Sequence, residues 1–386
     1  MVYKYQVGWV IGATMDFGIF PLMQQRDANK PSHAIVQEAV QQTRVAEDLG
    51  FSTAWYPEHH FSNYSLCPSP LTMAAHCAGA TSRIRVGSAV VIAPLYSAPR
   101  LVADIAFVDS LSTGRLDVGI GLGYQGFEFE RFGVSLADRT EMTSELLDMI
   151  ELGLREKHFS YVGKHYRQPE TAISVRAVQS PLPPIWIVST DPNFMRRAVQ
   201  SGYSIFVTGV LGGWKRLKDL RKNIDDVAIA AGKRPADTHV GLLRFGFVGE
   251  KRRDVERYVE SARYQQRIAG SLKTRTAVIH GSYMVEEMAQ KNELSLEKTE
   301  EVLPVGDVDT CIERMLRDIR AVGAGHVAIQ TMIGDMEPRV MLRSMELWSE
   351  KVAPAIRREL GADFGKPRLS ENDNTRLNAE AGVVAS

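Results

Sequence analysis

Residues 84–93 read IRVGSAVVIA, an apolar and β-branched run whose side chains would be buried on both faces of a sheet. A helix is predicted just before it, at 70–82, and another strand before that helix, at 52–56. Strands buried on both faces and separated by helices are typical of a parallel sheet covered by helices. The stretch from 52 to 93 therefore indicates an α/β fold.

The same alternation of strand and helix recurs along most of the chain. A strand at 15–20 is followed by a helix at 33–49, which Gly50 ends. The remaining strands are predicted at 116–121, 185–188, 204–208, 240–248 and 326–330. Eight strand-helix units favour a closed (β/α)₈ TIM barrel over an open, doubly wound sheet.

The chain is predicted to form one domain over residues 1–360. Between 271 and 301 the alternation breaks, and this insertion before the last β/α unit is interpreted as a mobile lid. Residues 361–386 are small, polar and aperiodic, so a disordered tail is expected there.

Composition excludes several classes of function. Lys plus Arg and Asp plus Glu both number 46, without a long run of one sign, so no nucleic-acid partner is expected. Three cysteines, Cys67, Cys77 and Cys311, match neither a zinc spacing nor a disulfide framework. Because no signal peptide or apolar run of about 18 residues is recognisable, we expect a cytoplasmic protein without membrane contact.

Glu58, His59 and His60 follow directly on a predicted strand, within STAWYPEHHF at 52–61. Active sites of such barrels lie at the C-terminal ends of the strands, and imidazoles suit proton transfer near neutral pH. Adjacent histidines can also serve only to bind loop backbone. A metal site is not expected, because the two histidines are not one helical turn apart. Glycoside hydrolysis by Glu58 would need a second carboxylate at a strand end, which the sequence does not offer.

A glycine run and a polar cluster follow two later strands. GIGLGYQG at 119–126 contains the pattern GxGxxG. Its position in mid-chain argues against a dinucleotide-binding fold, and we interpret the glycines as allowing the backbone to approach a flat ligand closely. A tight turn is the alternative. Ser189, Thr190 and Asn193 surround a predicted helix N-terminus that suits a phosphate, although Asp191 before Pro192 is equally typical of an ordinary N-cap.

Several segments in combination resemble the bacterial luciferase-like monooxygenases, from about residue 15 to 360. They are AEDLGFSTAWYPEHHF (46–61), SPLTMAAHCAGATSRIRVGSAVVIAP (69–94), DSLSTGRLDVGIGLG (109–123), FGV with the downstream Arg139, PPIWIVS (183–189) and LPVGDVDTCIERM (303–315).

The resemblance implies a flavin-dependent monooxygenase of two components. Reduced FMN (FMNH₂), supplied by a separate flavin reductase, would react with O₂ to a C4a-(hydro)peroxyflavin and oxygenate a small apolar organic substrate. A homodimer is expected, and light emission is not. The lid would shield the flavin from water. Hydroxylation and Baeyer-Villiger insertion are both compatible with this chemistry.

The resemblance also implies roles for individual residues. His59 would manage protons at the flavin, with Glu58 and His60 orienting it. Ala89 and Val90 would pack against the isoalloxazine, often through a cis peptide bond. Gly121 and Gly123 would lie beside the ring. Since Leu122 replaces a phosphate-binding arginine of bacterial luciferase, the phosphate is left to Arg139, Ser189, Thr190 and Asn193.

Three hypotheses follow. The first is the FMNH₂-dependent monooxygenase, with Trp55, Tyr124, Phe127 and Met23 lining the substrate pocket. The second is a deazaflavin (F420)-dependent hydride-transfer enzyme on the same barrel, and the third is a non-catalytic flavin-binding paralogue. The EHHF motif favours the first over the second, and retention of His59 and of the lid opposes the third.

Overall fold

The computed structural model describes residues 15–209, 212–362 and 364. Its centre is a closed barrel of eight parallel strands, in which neighbours in space are also successive in the chain. The strands are β1 Asp16–Pro21, β2 Thr53–Tyr56, β3 Arg85–Ile92, β4 Leu116–Gly121, β5 Ile185–Val188, β6 Ser204–Thr208, β7 Val240–Phe245 and β8 His326–Thr331. Pairing of Asp16 with His326 closes the ring between β1 and β8. The predicted (β/α)₈ barrel is confirmed.

Helices cover the outside of the barrel and carry the chain from each strand to the next. They are α1 Ser32–Asp48, α2 Pro70–Ala80, α3 Ala98–Leu111, α4 Gly126–Phe132, α5 Arg139–Arg155, α6 Pro192–Ser201, α7 Gly213–Ala230, α8 Arg252–Thr274, α9 Leu296–Val302, α10 Val308–Val322, α11 Pro338–Leu347 and α12 Ala353–Leu360. Their ends follow local chemistry. Ser69 caps α2 by accepting a hydrogen bond from the Thr72 N–H, and Gly50 follows α1 with a φ of 80°.

One strand prediction needs correction. The segment 240–248 is divided at Gly246 into β7 and a separate short strand, Phe247–Val248, which pairs with Val305–Gly306 outside the barrel. A Cβ on Gly246 would lie 2.9 Å from the Trp348 ring, so the chain turns where the indole packs against the bare backbone. Continuous apolar character could not reveal this break.

The insertion at 271–301 is built from small elements. Helix α8 continues to Thr274, a two-residue hairpin pairs Ile279–His280 with Tyr283–Met284, and α9 follows at Leu296–Val302. Mobility of this insertion stays a prediction. Most of the proposed tail, 365–386, lies outside the described residues, as do residues 1–14. Among the described helices, none is long and apolar enough to cross a membrane.

An aromatic and histidine layer fills the N-terminal end of the barrel interior. The Trp55 indole N–H donates to His326 Nε2 at 2.9 Å, and the Trp55 ring stacks on Phe206 with centroids 5.2 Å apart. The Trp186 ring lies 5.0 Å from that of His239. Trp55 is only 1% exposed within this layer, so its ring has no surface to offer a substrate. The prediction that Trp55 lines the substrate pocket is therefore wrong.

Strands β3 and β4 approach unusually closely where their register shifts. The shift falls between Ser88 and Val91, a bulge that places Ala89 and Val90 opposite Gly119. A Cβ on Gly119 would lie 2.1 Å from the carbonyl oxygen of Ser88. Only glycine fits at this position.

We expect Gly119→Ala to lower the free energy of unfolding by about 3 kcal/mol, because a backbone clash in a closed barrel cannot be relieved by a side-chain rotation. Gly79→Ala, on the exposed face of α2 with open space around its Cβ, is the matched control and should leave stability equal or slightly higher. Urea denaturation compares them, and equal midpoints would contradict the packing argument.

Candidate active site

The predicted site residues follow four strands that are neighbours in the barrel. Ile92 at the end of β3 pairs with Gly121 at the end of β4, and Gly121 pairs with Val188 at the end of β5. Strand β2 ends beside them at Tyr56 and leads into Glu58, His59 and His60. The structure thus brings Glu58–His60, Ala89–Val90, Gly121–Gly123 and Ser189–Thr190 to one rim, the C-terminal end of the barrel.

Glu58 anchors the loop between β2 and α2, residues 57–69 and here called the histidine loop, to β3. Its carboxylate is buried, and Oε2 accepts hydrogen bonds from the Ile92 N–H and the Tyr96 hydroxyl, both at 2.9 Å. Burial and the neighbouring carboxylate raise the pKa of Tyr96, which keeps this phenol a donor. The other oxygen, Oε1, lies 2.8 Å from His60 Nε2. Glu58 therefore orients His60 and not, as the resemblance implied, His59.

His59 is held by a residue that sequence reasoning missed, Glu128 on α4. The His59 Nδ1 atom lies 3.1 Å from Glu128 Oε1, and the same oxygen accepts the His60 N–H at 2.9 Å. An ionised carboxylate can only accept, so Nδ1 carries the proton and Nε2 is left for chemistry. The Tyr64 ring packs edge-on against the imidazole, with centroids 4.4 Å apart. Glu128 lies two residues beyond the glycine run, where attention to the glycines alone passed over it.

Two buried oxygens beside His59 have no hydrogen-bond partner among the described residues. They are Glu128 Oε2 and the side-chain Oε1 of Gln125, both on residues with no exposed surface. Buried polar atoms nearly always have a partner, whether protein, water or ligand. Because neither oxygen has exposed surface, its partner would be a buried water or a group admitted by movement of a neighbouring side chain.

Exposed aromatic rings surround the two histidines. Tyr124 is 44% exposed, yet burial raises the pKa of its phenol, a combination expected for a side chain lining a recess. Phe61 and Phe132 are also exposed, and the Phe132 ring lies 4.7 Å from that of His60. In contrast, Met23 and Phe127 are buried in the protein core. Of the residues expected to line a substrate pocket, Tyr124 alone presents much surface.

Ala89 and Val90 lie half-buried at the bulge of β3, joined by a cis peptide bond as the resemblance implied. A Cβ on Gly121 would lie 2.6 Å from Val90 Cγ2, so this glycine admits the Val90 side chain. Gly123 has a φ of 73°, and its Cβ would meet the Phe129 ring. Gly123 thus forms a tight turn, the alternative interpretation of the glycine run. Gly121 instead leaves room for the Val90 side chain.

The polar cluster after β5 is arranged as an N-cap. Asp191 Oδ1 accepts the N–H groups of Asn193 and Phe194, both at 3.0 Å, and Ser189 Oγ accepts the Asp191 N–H. These helix donors are therefore already paired with a carboxylate. Arg139 begins the neighbouring helix α5, and its Nη1 donates to the Leu136 carbonyl at 2.7 Å. Binding of a phosphate by Arg139 stays a prediction, and the Asn193 N–H is a weak candidate because Asp191 already accepts it.

We expect Glu128→Gln to loosen the orientation of the His59 ring and to shift its nuclear magnetic resonance signal in protein with ¹³C-labelled histidine. The amide oxygen still accepts a hydrogen bond from Nδ1, but it lacks the charge that strengthens this bond. Glu130→Gln is the matched control, since Glu130 is exposed on the same helix and pairs with Arg275 at 3.5 Å. Equal His59 signals in the two variants would contradict this role.

Two relatives in sequence extend over most of the chain. An uncharacterized protein of Sinorhizobium fredii, y4vJ, is 42% identical over 347 residues, which cover 90% of this chain and 99% of that protein. The oxygenase component of a flavin-dependent trigonelline monooxygenase from Acinetobacter baylyi is 28% identical over 246 residues, covering 63% of this chain and 67% of the relative.

Solved structures share the fold at low sequence identity. The oxygenating constituent of 3,6-diketocamphane monooxygenase from Pseudomonas putida, in complex with FMN, has a TM-score of 0.72 at 20% identity and covers 88% of this chain and 98% of its own. An F420-dependent secondary alcohol dehydrogenase has a TM-score of 0.68 at 18% identity, covering 89% and 99%. The family model described as luciferase-like monooxygenase matches residues 15–326. This chain therefore belongs to the luciferase-like monooxygenase family.

Proposed function

We propose that this protein is the oxygenase of a two-component system, which accepts FMNH₂ from a separate flavin reductase and oxygenates a small apolar organic substrate. The observation that carries the proposal is the His59–Glu128 pair, set on the same rim as Ala89–Val90 and Gly121. The relative from Acinetobacter baylyi is an oxygenase component, which supports a separate reductase. Reduced FMN would activate O₂ as a C4a-(hydro)peroxyflavin.

The rim residues fit a flavin in shape and in hydrogen bonding. The half-buried residues Ala89 and Val90, which the bare backbone of Gly121 allows to lie close to β4, would form the surface against which the isoalloxazine packs. The phosphate would be held by Arg139 with the Ser189 and Thr190 hydroxyls, and less by Asn193, whose N–H is taken.

The protein's own residues divide the remaining work. His59 would hold or release a proton at Nε2, because Glu128 fixes its proton at Nδ1. Glu58 and His60 form a second pair that locks the loop against β3. The exposed rings of Phe61, Tyr124 and Phe132 would receive an apolar substrate, and the lid would exclude water.

We further propose a cytoplasmic homodimer. Phe107 and Leu111 lie four residues apart on α3 and are 53% and 49% exposed. Apolar side chains at this spacing share one helix face, and such a face is typical of a contact between subunits. Light scattering of the purified protein tests this, and a monomer at micromolar concentration would contradict it.

A deazaflavin-dependent hydride transfer is the second candidate, favoured by the shared fold with the F420-dependent secondary alcohol dehydrogenase. Anaerobic titration with FMNH₂ and with reduced F420, each followed by absorbance, separates the two functions. We expect saturable binding of FMNH₂ at micromolar concentration and none of F420. Binding of F420 alone would contradict the proposed monooxygenase function. Binding of neither cofactor would contradict both candidate functions.

A further inference from the structure

The segment between α8 and α9, residues 275–295, is here called the lid segment. Glutamates of this segment pair with arginines elsewhere. Glu287 accepts two hydrogen bonds from Arg26, at 3.0 and 2.7 Å, and Glu293 pairs with Arg267 at 2.6 Å and also with Arg263. Arg26 belongs to the loop after β1 and itself lies 3.6 Å from Glu260 of α8. Charge pairs therefore hold the lid segment against both α8 and the loop after β1.

Asn63 joins this segment to the histidine loop. Its Oδ1 accepts the Met284 N–H at 3.0 Å, and its Nδ2 donates to the Gln25 carbonyl at 2.7 Å and to the Tyr264 hydroxyl at 3.2 Å. The residue is only 1% exposed. One buried amide thus connects the lid segment, the loop after β1 and helix α8, with both of its ends occupied.

The next residue, Tyr64, contacts His59 directly. Its ring packs edge-on against the imidazole at 4.4 Å, and its hydroxyl accepts a hydrogen bond from Gln265 of α8 at 2.7 Å. Any movement of Asn63 must shift Tyr64 along the same short loop. The lid segment is therefore linked at Met284 to Asn63 by a hydrogen bond, and Tyr64, the chain neighbour of Asn63, contacts His59.

The contact of Arg26 with Glu287 lies near the surface, where salt screens it. The Arg26 side chain is 20% exposed and that of Glu287 36%. Arg26 also faces Glu260 at 3.6 Å and Asp335 at 3.9 Å, so it stays in place when Glu287 departs. Release of Glu287 from Arg26 consequently costs little charge separation, and it should become easier at high ionic strength, whereas the less exposed pairs of Glu293 stay in place.

We propose that Asn63 is a positioning residue that couples the docked state of the lid segment to the orientation of His59. The role of His59 in this inference rests on the proposed function. With Glu287 on Arg26, Asn63 is fixed and Tyr64 holds the imidazole against Glu128. With the segment released, the Met284 hydrogen bond is lost and the imidazole loses its fixed orientation. Substrate and flavin exchange would then coincide with an inactive histidine.

The test needs no flavin, so failure of the proposed function does not decide it. Hydrogen exchange of peptides covering 279–288 reports docking of the segment. Protein with ¹³C-labelled histidine reports His59, identified by the signal missing in His59→Gln. Glu287→Gln removes the charge pair with Arg26. Glu286→Gln, at the exposed neighbouring residue, is the matched control. Asn63→Ala removes the coupling residue itself.

We expect Glu287→Gln, and 0.5 M salt with the unaltered protein, to speed exchange at 279–288 by about threefold or more and to shift the His59 signal. Glu286→Gln should do neither. In Asn63→Ala, the His59 signal should already be shifted, and added salt should not move it further. Unchanged exchange in Glu287→Gln would contradict the proposal that the Arg26–Glu287 pair docks the lid segment. Faster exchange with an unmoved His59 signal would overturn the coupling.

Discussion

His59→Ala should retain binding of FMNH₂ but lose at least about 100-fold in the rate of product formation, with hydrogen peroxide released instead. Glu128 occupies Nδ1 of the imidazole, which leaves Nε2 for the proposed proton transfer. Alanine removes that proton donor and acceptor and leaves the proposed flavin contacts of Ala89 and Val90 in place. Flavin titration and the yield of peroxide per FMNH₂ measure the two effects.

The control for this variant is His60→Ala. His60 pairs with Glu58 through Nε2 and packs on Phe132, so its loss should loosen the loop and reduce coupling by a smaller factor. A product yield in His59→Ala equal to that of the unaltered enzyme would remove His59 from its proposed role. An effect of His60→Ala larger than that of His59→Ala would move that role to His60.

Acidification should destabilise the protein through two histidines at the N-terminal end of the barrel. Burial lowers the pKa of His326 to about 3 and that of His239 to about 4, whereas an unfolded histidine titrates near 6.5. Below pH 6.5 the unfolded chain binds protons that the folded protein cannot, so stability present above this pH is lost as the pH falls. Between pH 6.5 and 5 the free energy of unfolding should fall by about 3 kcal/mol.

Urea denaturation at several pH values measures this loss, and His326→Gln isolates half of it. Glutamine can still accept the Trp55 indole N–H, but it does not titrate. Between pH 6.5 and 5 the slope of stability against pH should fall by about 1 kcal/mol per unit relative to an exposed control, His33→Gln. Asp16, whose pKa burial raises, acts in the opposite direction at lower pH. Parallel pH profiles for the two variants would contradict this account.

The barrel could be predicted because its strands are continuous apolar runs separated by helix patterns. The eight strand positions, the histidine loop at a strand end and the Ala89–Val90 segment all follow from local sequence or from the resemblance. The break at Gly246 could not be predicted, because it depends on packing against Trp348, 102 residues later in the chain. Burial of Trp55 towards His326 has the same origin, a contact between β2 and β8.

Pairing within the site was equally beyond local sequence. Glu58 is next to His59 in the chain but bonds His60, because the loop directs successive side chains to different partners. Glu128, 69 residues from His59, supplies the carboxylate. At the helix after β5, Asp191 occupies donors that the sequence equally offered to a phosphate. Side-chain partners of this kind depend on tertiary contacts, not on spacing.

We propose that this rim binds reduced FMN and controls its reaction with oxygen. Protein loaded anaerobically with FMNH₂ can be mixed with oxygenated buffer and its absorbance followed in a rapid-mixing instrument. We expect an oxygenated flavin species that outlasts the oxidation of free FMNH₂ and decays faster in His59→Ala. Oxidation at the rate of free FMNH₂, with no such species, would contradict it.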